Sequence, residues 1–223
     1  MVTELGGDVW WYDLRGVNAY LVADDALTLV DAGNPWDSRN LILGLDEAGF
    51  SLQDVDRVLV THYDFDHVGG LARLRGLDAT VYVGEADAPL LTGQRRPDWR
   101  NHKGALQTVL GAFVGRPSVP VEPVADGDTV GSFTVYHTPG HTPGHVAYVS
   151  DDLSAGFLGD LVVERDGQLA ASPWLLSYDT DQGERSIRSL AERAPDFEVG
   201  GMGHGVPFER RAGERLAALA ERL

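Results

Sequence analysis

Thr61-His62-Tyr63-Asp64-Phe65-Asp66-His67-Val68-Gly69-Gly70 sets two histidines and two aspartates within six residues, directly after the apolar run Val58-Leu59-Val60. A short apolar run bounded in this way reads as a buried strand. Its end then presents several metal-ligand side chains at one sheet edge. If these residues hold metal, histidines elsewhere complete the set and most of the chain is scaffold for it.

Upstream, Val9 to Tyr12, Ala19 to Val22 and Leu27 to Val30 are β-rich runs broken by Arg15-Gly16 and Asp24-Asp25, an opening meander. Asn34-Pro35 predicts the start of a helix over residues 36–48, with asparagine as cap and proline at the first helical position. Downstream, helices are expected over 68–77, 85–91, 105–114, 181–193 and 208–222. Strands are expected at 79–83, 121–124, 133–136, 146–149 and 155–158. Strand and helix alternating after a meander implies mixed sheets with helices outside. No linker or low-complexity tract divides residues 1–223, so a single domain is expected, built from two halves alike in kind.

Composition narrows the chemistry. Cysteine is absent, which excludes disulfides and thiolate sites, so any metal is held by nitrogen and oxygen. No apolar run is long enough to span a membrane. The first residues lack the basic-then-apolar pattern of a secretory signal, an expectation of a cytoplasmic protein. The net charge of −16 disfavours nucleic acid and anionic membranes as partners. With 34 acidic residues, and one lysine (Lys103) among 18 cations, the chain has the make-up of proteins from salt-accumulating halophiles. Concentrated salt screens such self-repulsion. Segment 92–120 concentrates Arg95, Arg96, Arg100, Lys103 and Arg116; these either decorate a solvated helix or draw an anionic substrate to a cleft mouth.

Further strand-end and Gly-rich turns carry His141 in Thr138-Pro139-Gly140-His141-Thr142-Pro143-Gly144-His145, Asp160 in Gly159-Asp160, and His204 in Gly203-His204-Gly205. This spaced set resembles the metallo-β-lactamase superfamily, with its His-x-His-x-Asp-His motif, a later His, a bridging Asp and a final His. Val30-Asp31-Ala32-Gly33 matches a further family feature. The resemblance implies an α+β fold, a four-layer αββα sandwich of two mixed β-sheets flanked by helices. It also implies two divalent metal ions: His62, Asp64 and His141 on the first, Asp66, His67 and His204 on the second, with Asp160 bridging. Zinc is expected, with iron or manganese as alternatives. The pattern departs from the family at Asp64, where a second histidine is usual; an added carboxylate weakens Lewis acidity and favours the harder metals. Some di-iron oxidoreductases of the family also carry a carboxylate there, a glutamate.

The Pro-Gly-His-Thr-Pro-Gly-His turn is most similar to the glyoxalase II-like branch. The implied reaction is attack of a metal-bound hydroxide on an ester, thioester or lactone of a small acyl substrate, with Asp66 and Asp160 as the catalytic carboxylates. That branch's glutathione-binding extension has no counterpart after His204, so a glutathione thioester is not expected. A di-iron redox enzyme is the alternative, and a binding protein with an impaired site the third reading. Asp31 is expected to orient a metal ligand. His145 is expected to shape its loop, His137 to pack or face solvent, and Trp174 and Tyr178, in a loop able to reach the cleft, to pack in the core or lie at a solvent edge.

Overall fold

The computed structural model describes residues 2–6 and 8–223. The first sheet takes seven strands in chain order: β1 (Val2–Gly6), β2 (Val9–Asp13), β3 (Asn18–Ala23), β4 (Leu27–Val30), β5 (Val55–Val60), β6 (Thr80–Gly84) and β7 (Val121–Val124). Pairing is antiparallel up to β4 and parallel from β4 to β7. β8 (Thr129–Val130), β9 (Phe133–His137), β10 (Val146–Ser150) and β11 (Ala155–Gly159) form an antiparallel second sheet. A hairpin of β12 (Val162–Arg165) and β13 (Gln168–Ala171) stands apart from it. β14 (Val199–Met202) then returns to lie parallel to β11 at the sheet edge.

Three apolar clusters make the layers. Val22, Leu59, Phe133, Tyr148 and Phe157 fill the space between the two sheets. Helices α1 (Ser38–Glu47), α2 (Phe65–Val68) and α3 (Ala88–Leu91) bury Leu41, Leu45, Val68, Leu90 and Leu91 against the outer side of the first sheet. α4 (His102–Leu110) has no member in that cluster. The second sheet is covered by α5 (Thr180–Arg193) and α6 (Ala212–Ala220), through Ile187, Leu190, Leu216 and Leu219. The result is the expected α+β, four-layer αββα sandwich with two mixed sheets.

Several helix boundaries differ from those expected, each because local backbone bonds have a better partner. Asn34-Pro35 forms a turn, Asp37 N–H donating to Asn34 O at 2.9 Å, and α1 begins three residues after Pro35. The helix expected over 68–77 is replaced by α2 and a 3-10 turn at Leu71–Arg73. Ala32 N–H donates to His67 O (2.7 Å) and Gly70 N–H to Gly33 O (3.1 Å), so this stretch is bonded to the turn after β4. A Cβ on Gly70 would lie 2.1 Å from Ala32 O, which makes glycine necessary there. α4 starts earlier than the expected residue 105 because Asn101 caps it, its Oδ1 accepting from Lys103 N–H at 2.9 Å. α6 starts later than 208 because Phe208 exchanges two backbone bonds with Gly200.

Candidate metal centre

The parallel strands β4, β5 and β6, and the parallel pair β11 and β14, all deliver chemistry at their carboxyl ends. Asp31 follows β4, His62 follows β5, Asp87 lies beyond β6, Asp160 follows β11 and His204 follows β14. Ligands collect at such ends because the side chains that leave the sheet there are fixed by the core behind them. Cross-links hold the two sheets' turns in one frame. Val146 N–H donates to Thr61 O (2.8 Å) and Asn18 N–H to Gly203 O (2.8 Å). Asn18 Nδ2 donates to Met202 O and Gly205 O, and Tyr20 Oη to Met202 O.

All seven expected metal-site residues meet at this end. His62, His67, His141 and Asp160 are buried, Asp64 is buried beside them, and Asp66 and His204 face outward, each partly exposed. Three groups offer converging donor atoms: His62-His67-Asp160, His62-Asp64-His141 and Asp66-His67-His204. Asp160 stands between them, its Oδ1 3.5 Å from His67 Nε2 and its Oδ2 3.2 Å from His204 Nε2 and 3.6 Å from His141 Nε2. His204 Nε2 is 3.4 Å from Asp66 Oδ2. A Cβ on Gly203 would fall 2.0 Å from Asp160 Oδ1, so only glycine lets β14 bring His204 this close.

The imidazoles are oriented from behind. Asp31 adopts a left-handed backbone (φ 58°), unusual for a residue other than glycine. Its Oδ1 accepts from Thr61 N–H (2.9 Å), and its Oδ2 from Thr61 Oγ1 and from His67 Nδ1 (both 2.8 Å). A carboxylate only accepts, so His67 carries a proton on Nδ1 and turns Nε2 to the cluster. Gly16 O does the same for His204 Nδ1 (2.5 Å). Thr61 Oγ1, already donating to Asp31, accepts from His62 Nδ1 at 3.0 Å. His62 Nε2, His67 Nε2 and Asp160 Oδ1 are then buried with no hydrogen-bond partner among the described residues.

Electrostatics divides the histidines. Burial, reinforced by the neighbouring His67 charge, pushes His62 down to about 4. Burial also works against the His67 cation, but Asp160, Asp31 and Asp66 outweigh it and push His67 up to about 9. His204 rises to about 11, burial being overcome by Asp160 and Asp66. Asp160 is held well below the usual carboxylate range by His67 and His204, against its burial. A metal ion at these residues competes with protons for the same imidazole nitrogens.

The other cluster has an occupant. Lys103 Nζ, from the first turn of α4, lies 2.5 Å from Asp64 Oδ2 and 3.3 Å from His141 Nε2. Gln107, one helical turn on, donates from Nε2 to Asp64 Oδ1 (2.9 Å) and Tyr63 O (2.6 Å). Burial opposes the Asp64 carboxylate, yet Lys103 and the imidazoles hold it well below its ordinary range. The donor set therefore fits a divalent ion well at Asp66, His67, Asp160 and His204. At the His62, Asp64 and His141 group an ammonium already sits beside Asp64 and His141, which opposes an ion there, while His62 Nε2 is left without a hydrogen-bond partner among the described residues.

Of the other expectations, Asp31 does orient His67. His145 is fully buried, joins none of the converging groups and bonds Thr138 Oγ1 through Nδ1 (2.8 Å), shaping its loop. His137 is exposed, its Nε2 3.0 Å from Pro143 O. Tyr178 Oη donates to Gln107 Oε1 (2.7 Å), and Trp174 stacks on His102 at 4.7 Å. The cleft over the centre, about 280 Å³, is lined by Phe65, Leu106, Leu110 and Leu176 as well as the polar floor. Of the segment's cations only Lys103 lines it; Arg95, Arg96 and Arg116 line a neighbouring hollow of about 390 Å³. Sequence reading missed Lys103, Gln107 and Asp87. Asp87 accepts from Tyr63 N–H, Thr142 Oγ1 and Gly144 N–H, tying the His62 turn to the His141 turn.

Comparison with known proteins agrees with this geometry. The family model of the metallo-beta-lactamase superfamily matches residues 12–198. Metallo-beta-lactamase domain-containing protein 1 of Xenopus laevis is 30 % identical over 213 residues, 92 % of this chain and 76 % of that protein. Hydroxyacylglutathione hydrolase of Nitrobacter hamburgensis is 32 % identical over 150 residues, 66 % of this chain; the match spans 48 % of that relative, about half its length. Among solved structures, TTHA1623 in a di-iron-bound form superposes with a TM-score of 0.69 at 28 % identity, over 95 % of this chain and 96 % of that one. The chain belongs to the metallo-beta-lactamase superfamily. Hydrolytic enzymes are among the relatives it resembles, and the fold binds divalent metal ions.

Proposed function

We propose that the protein is a metal-dependent hydrolase acting on an ester, thioester or lactone of a small acyl substrate. One observation carries this reading. His67 Nε2 and Asp160 Oδ1 are buried without partners beside His204 and Asp66, at the floor of a cleft with an apolar wall. Each unsatisfied buried polar atom costs about 1–3 kcal/mol, so several converging on one point are sustained by something they bind. Nitrogen and carboxylate donors suit zinc, our first assignment, with iron or manganese as alternatives.

A divalent ion at these residues supplies Lewis acidity towards a carbonyl oxygen and brings the ionisation of water near neutral pH. The chain's own residues do the positioning. Asp31 and Gly16 O fix the tautomers of His67 and His204. Asp160 spans the floor with one oxygen towards His67 and the other towards His204, while Asp66 presents a carboxylate at the solvent side. Phe65, Leu106, Leu110 and Leu176 offer an apolar surface to an acyl chain, in a cleft at the small end of ligand sites. Similarity to a hydroxyacylglutathione hydrolase supports acyl substrates. The net charge of −16 supports a salt-rich cytoplasm as the setting.

Asp160→Asn is expected to abolish turnover across a panel of thioesters, esters and lactones. Unchanged hydrolysis by that variant overturns the mechanism. A di-iron redox enzyme is the second reading, favoured by the likeness to di-iron-bound TTHA1623. Two irons with a visible absorption band on oxidation would select it.

A further inference from the structure

The chain's single lysine and its departure from the family's histidine motif meet in space: Lys103 Nζ is 2.5 Å from Asp64 Oδ2. We infer that the Lys103 ammonium is a built-in cation holding the position between Asp64 and His141, so that the protein takes one divalent ion, at Asp66, His67, Asp160 and His204. This rests on the metal-centre reading above and sharpens it.

Both oxygens of Asp64 are committed to α4. Oδ2 takes Lys103, with His141 Nε2 at 3.0 Å and His62 Nε2 at 3.3 Å beside it, and Oδ1 takes the Gln107 amide at 2.9 Å. Lys103 and Gln107 are four apart on the helix and therefore share a face. Nζ also lies 3.3 Å from His141 Nε2, the nitrogen through which that ring would bind metal. A divalent ion among His62, Asp64 and His141 would meet a like charge at close range. With Lys103 only 5 % exposed, little water is present to screen the repulsion.

Entry of such an ion requires Lys103 to withdraw, and α4 is fastened against that. Asn101 caps its start and reaches Tyr178 O through Nδ2 (3.1 Å). Gly104 is packed so closely that a Cβ would lie 2.1 Å from Asp98 O and 2.5 Å from Tyr178 Oη. Gln107 is braced in turn by Tyr178 Oη at 2.7 Å. The aspartate at position 64 has a reason in this arrangement: a carboxylate accepts two donors at once and balances the ammonium's charge, which a neutral imidazole does not.

The test is metal stoichiometry in the full chain. Chelator-treated wild type and Lys103→Met are titrated with zinc alone and with cobalt alone, read by elemental analysis after desalting and by cobalt absorption. The expected result is one equivalent for the wild type and two for Lys103→Met. Two tight equivalents in the wild type, or one in a folded Lys103→Met, overturn the inference and leave the metal centre standing. No bound ion in either overturns the metal-centre reading as well. Should the variant fail to fold, anomalous scattering at the zinc edge of wild-type crystals decides. One ion among Asp66, His67, Asp160 and His204 is expected, and an ion among His62, Asp64 and His141 sinks the idea.

Discussion

The two sides of the metal centre are built from the same residue types and finished differently. Behind each imidazole stands an orienting oxygen: Asp31 for His67, Gly16 O for His204, Thr61 for His62 and Ser172 for His141. In front they diverge. The Asp66, His67, Asp160 and His204 side turns its donor atoms towards one another, with no other side chain between them among the described residues. On the His62, Asp64 and His141 side, Lys103 and Gln107 take Asp64 and Lys103 reaches His141, leaving His62 Nε2 without a hydrogen-bond partner. The first side is made by α2 and by turns at sheet ends, all close to β5, β11 and β14 in the chain. The second is completed by a helix inserted between β6 and β7. Ligand-type residues in the right places thus make a metal site on one side and a charge lock on the other, according to what else reaches them.

The largest expected effect that could break this contrast is on stability. In metal-free protein, Lys103→Met leaves the buried Asp64 carboxylate without its countercharge and should cost about 3–5 kcal/mol. Asp64→Asn should be destabilising in the same way, and the double variant should cost clearly less than the sum of the two. Denaturant midpoints for the four proteins measure the coupling. Strict additivity would mean that the two groups do not form a lock.

Next comes pH, where the two sides should pull in opposite directions. His62 sits at about 4 in the fold, below the ordinary 6.5, so the folded state binds fewer protons between those values and stability rises with pH there. His67 sits at about 9, so the folded state binds more protons above 6.5. Its contribution is whole below about 6.5 and is lost as pH rises through 9. Chelator-treated protein should therefore show a Tm maximum near neutrality that is skewed or removed by His67→Gln. A Tm that climbs steadily to pH 9 contradicts the charged His67. The smallest effect is expected at Asp31→Asn, which should weaken metal binding roughly 10–100-fold, about 1.4–2.7 kcal/mol, by loosening the His67 tautomer. Competition against a chelator of known affinity measures it, and unchanged affinity would show that His67 needs no orienting group.

Much of this was legible in the chain. His62, Asp64, Asp66, His67, His141, Asp160 and His204 each follow an apolar run or sit among Gly and Pro, and such positions lie at strand ends whatever the details of packing. Asp31 was legible for the same reason. Helix boundaries were less so, because Asn34 closes a turn with Asp37 instead of capping a helix, and Gly70 and Phe208 take backbone partners outside their own segments, Gly33 and Gly200. Lys103 and Gln107 were not read as part of the site. They lie 39 and 43 residues from Asp64, in a segment whose arginines are exposed. The available signal was that a chain otherwise using arginine spends its one lysine there, behind an asparagine able to cap a helix.

The sequence by itself determined mixed sheets with helices outside and donors at strand ends, and its resemblance to a known family implied the sandwich and the full ring. Strand periodicity, apolar content and turn residues are local properties, and they bring the seven side chains to one end of the two sheets. Only the tertiary structure decided which of those donors remain open. That depends on a helix capped at Asn101, seated against Tyr178 and turned so that Lys103 and Gln107 fall on the two oxygens of Asp64. A buried charge is placed by the packing of everything around it, and no spacing within the chain records that.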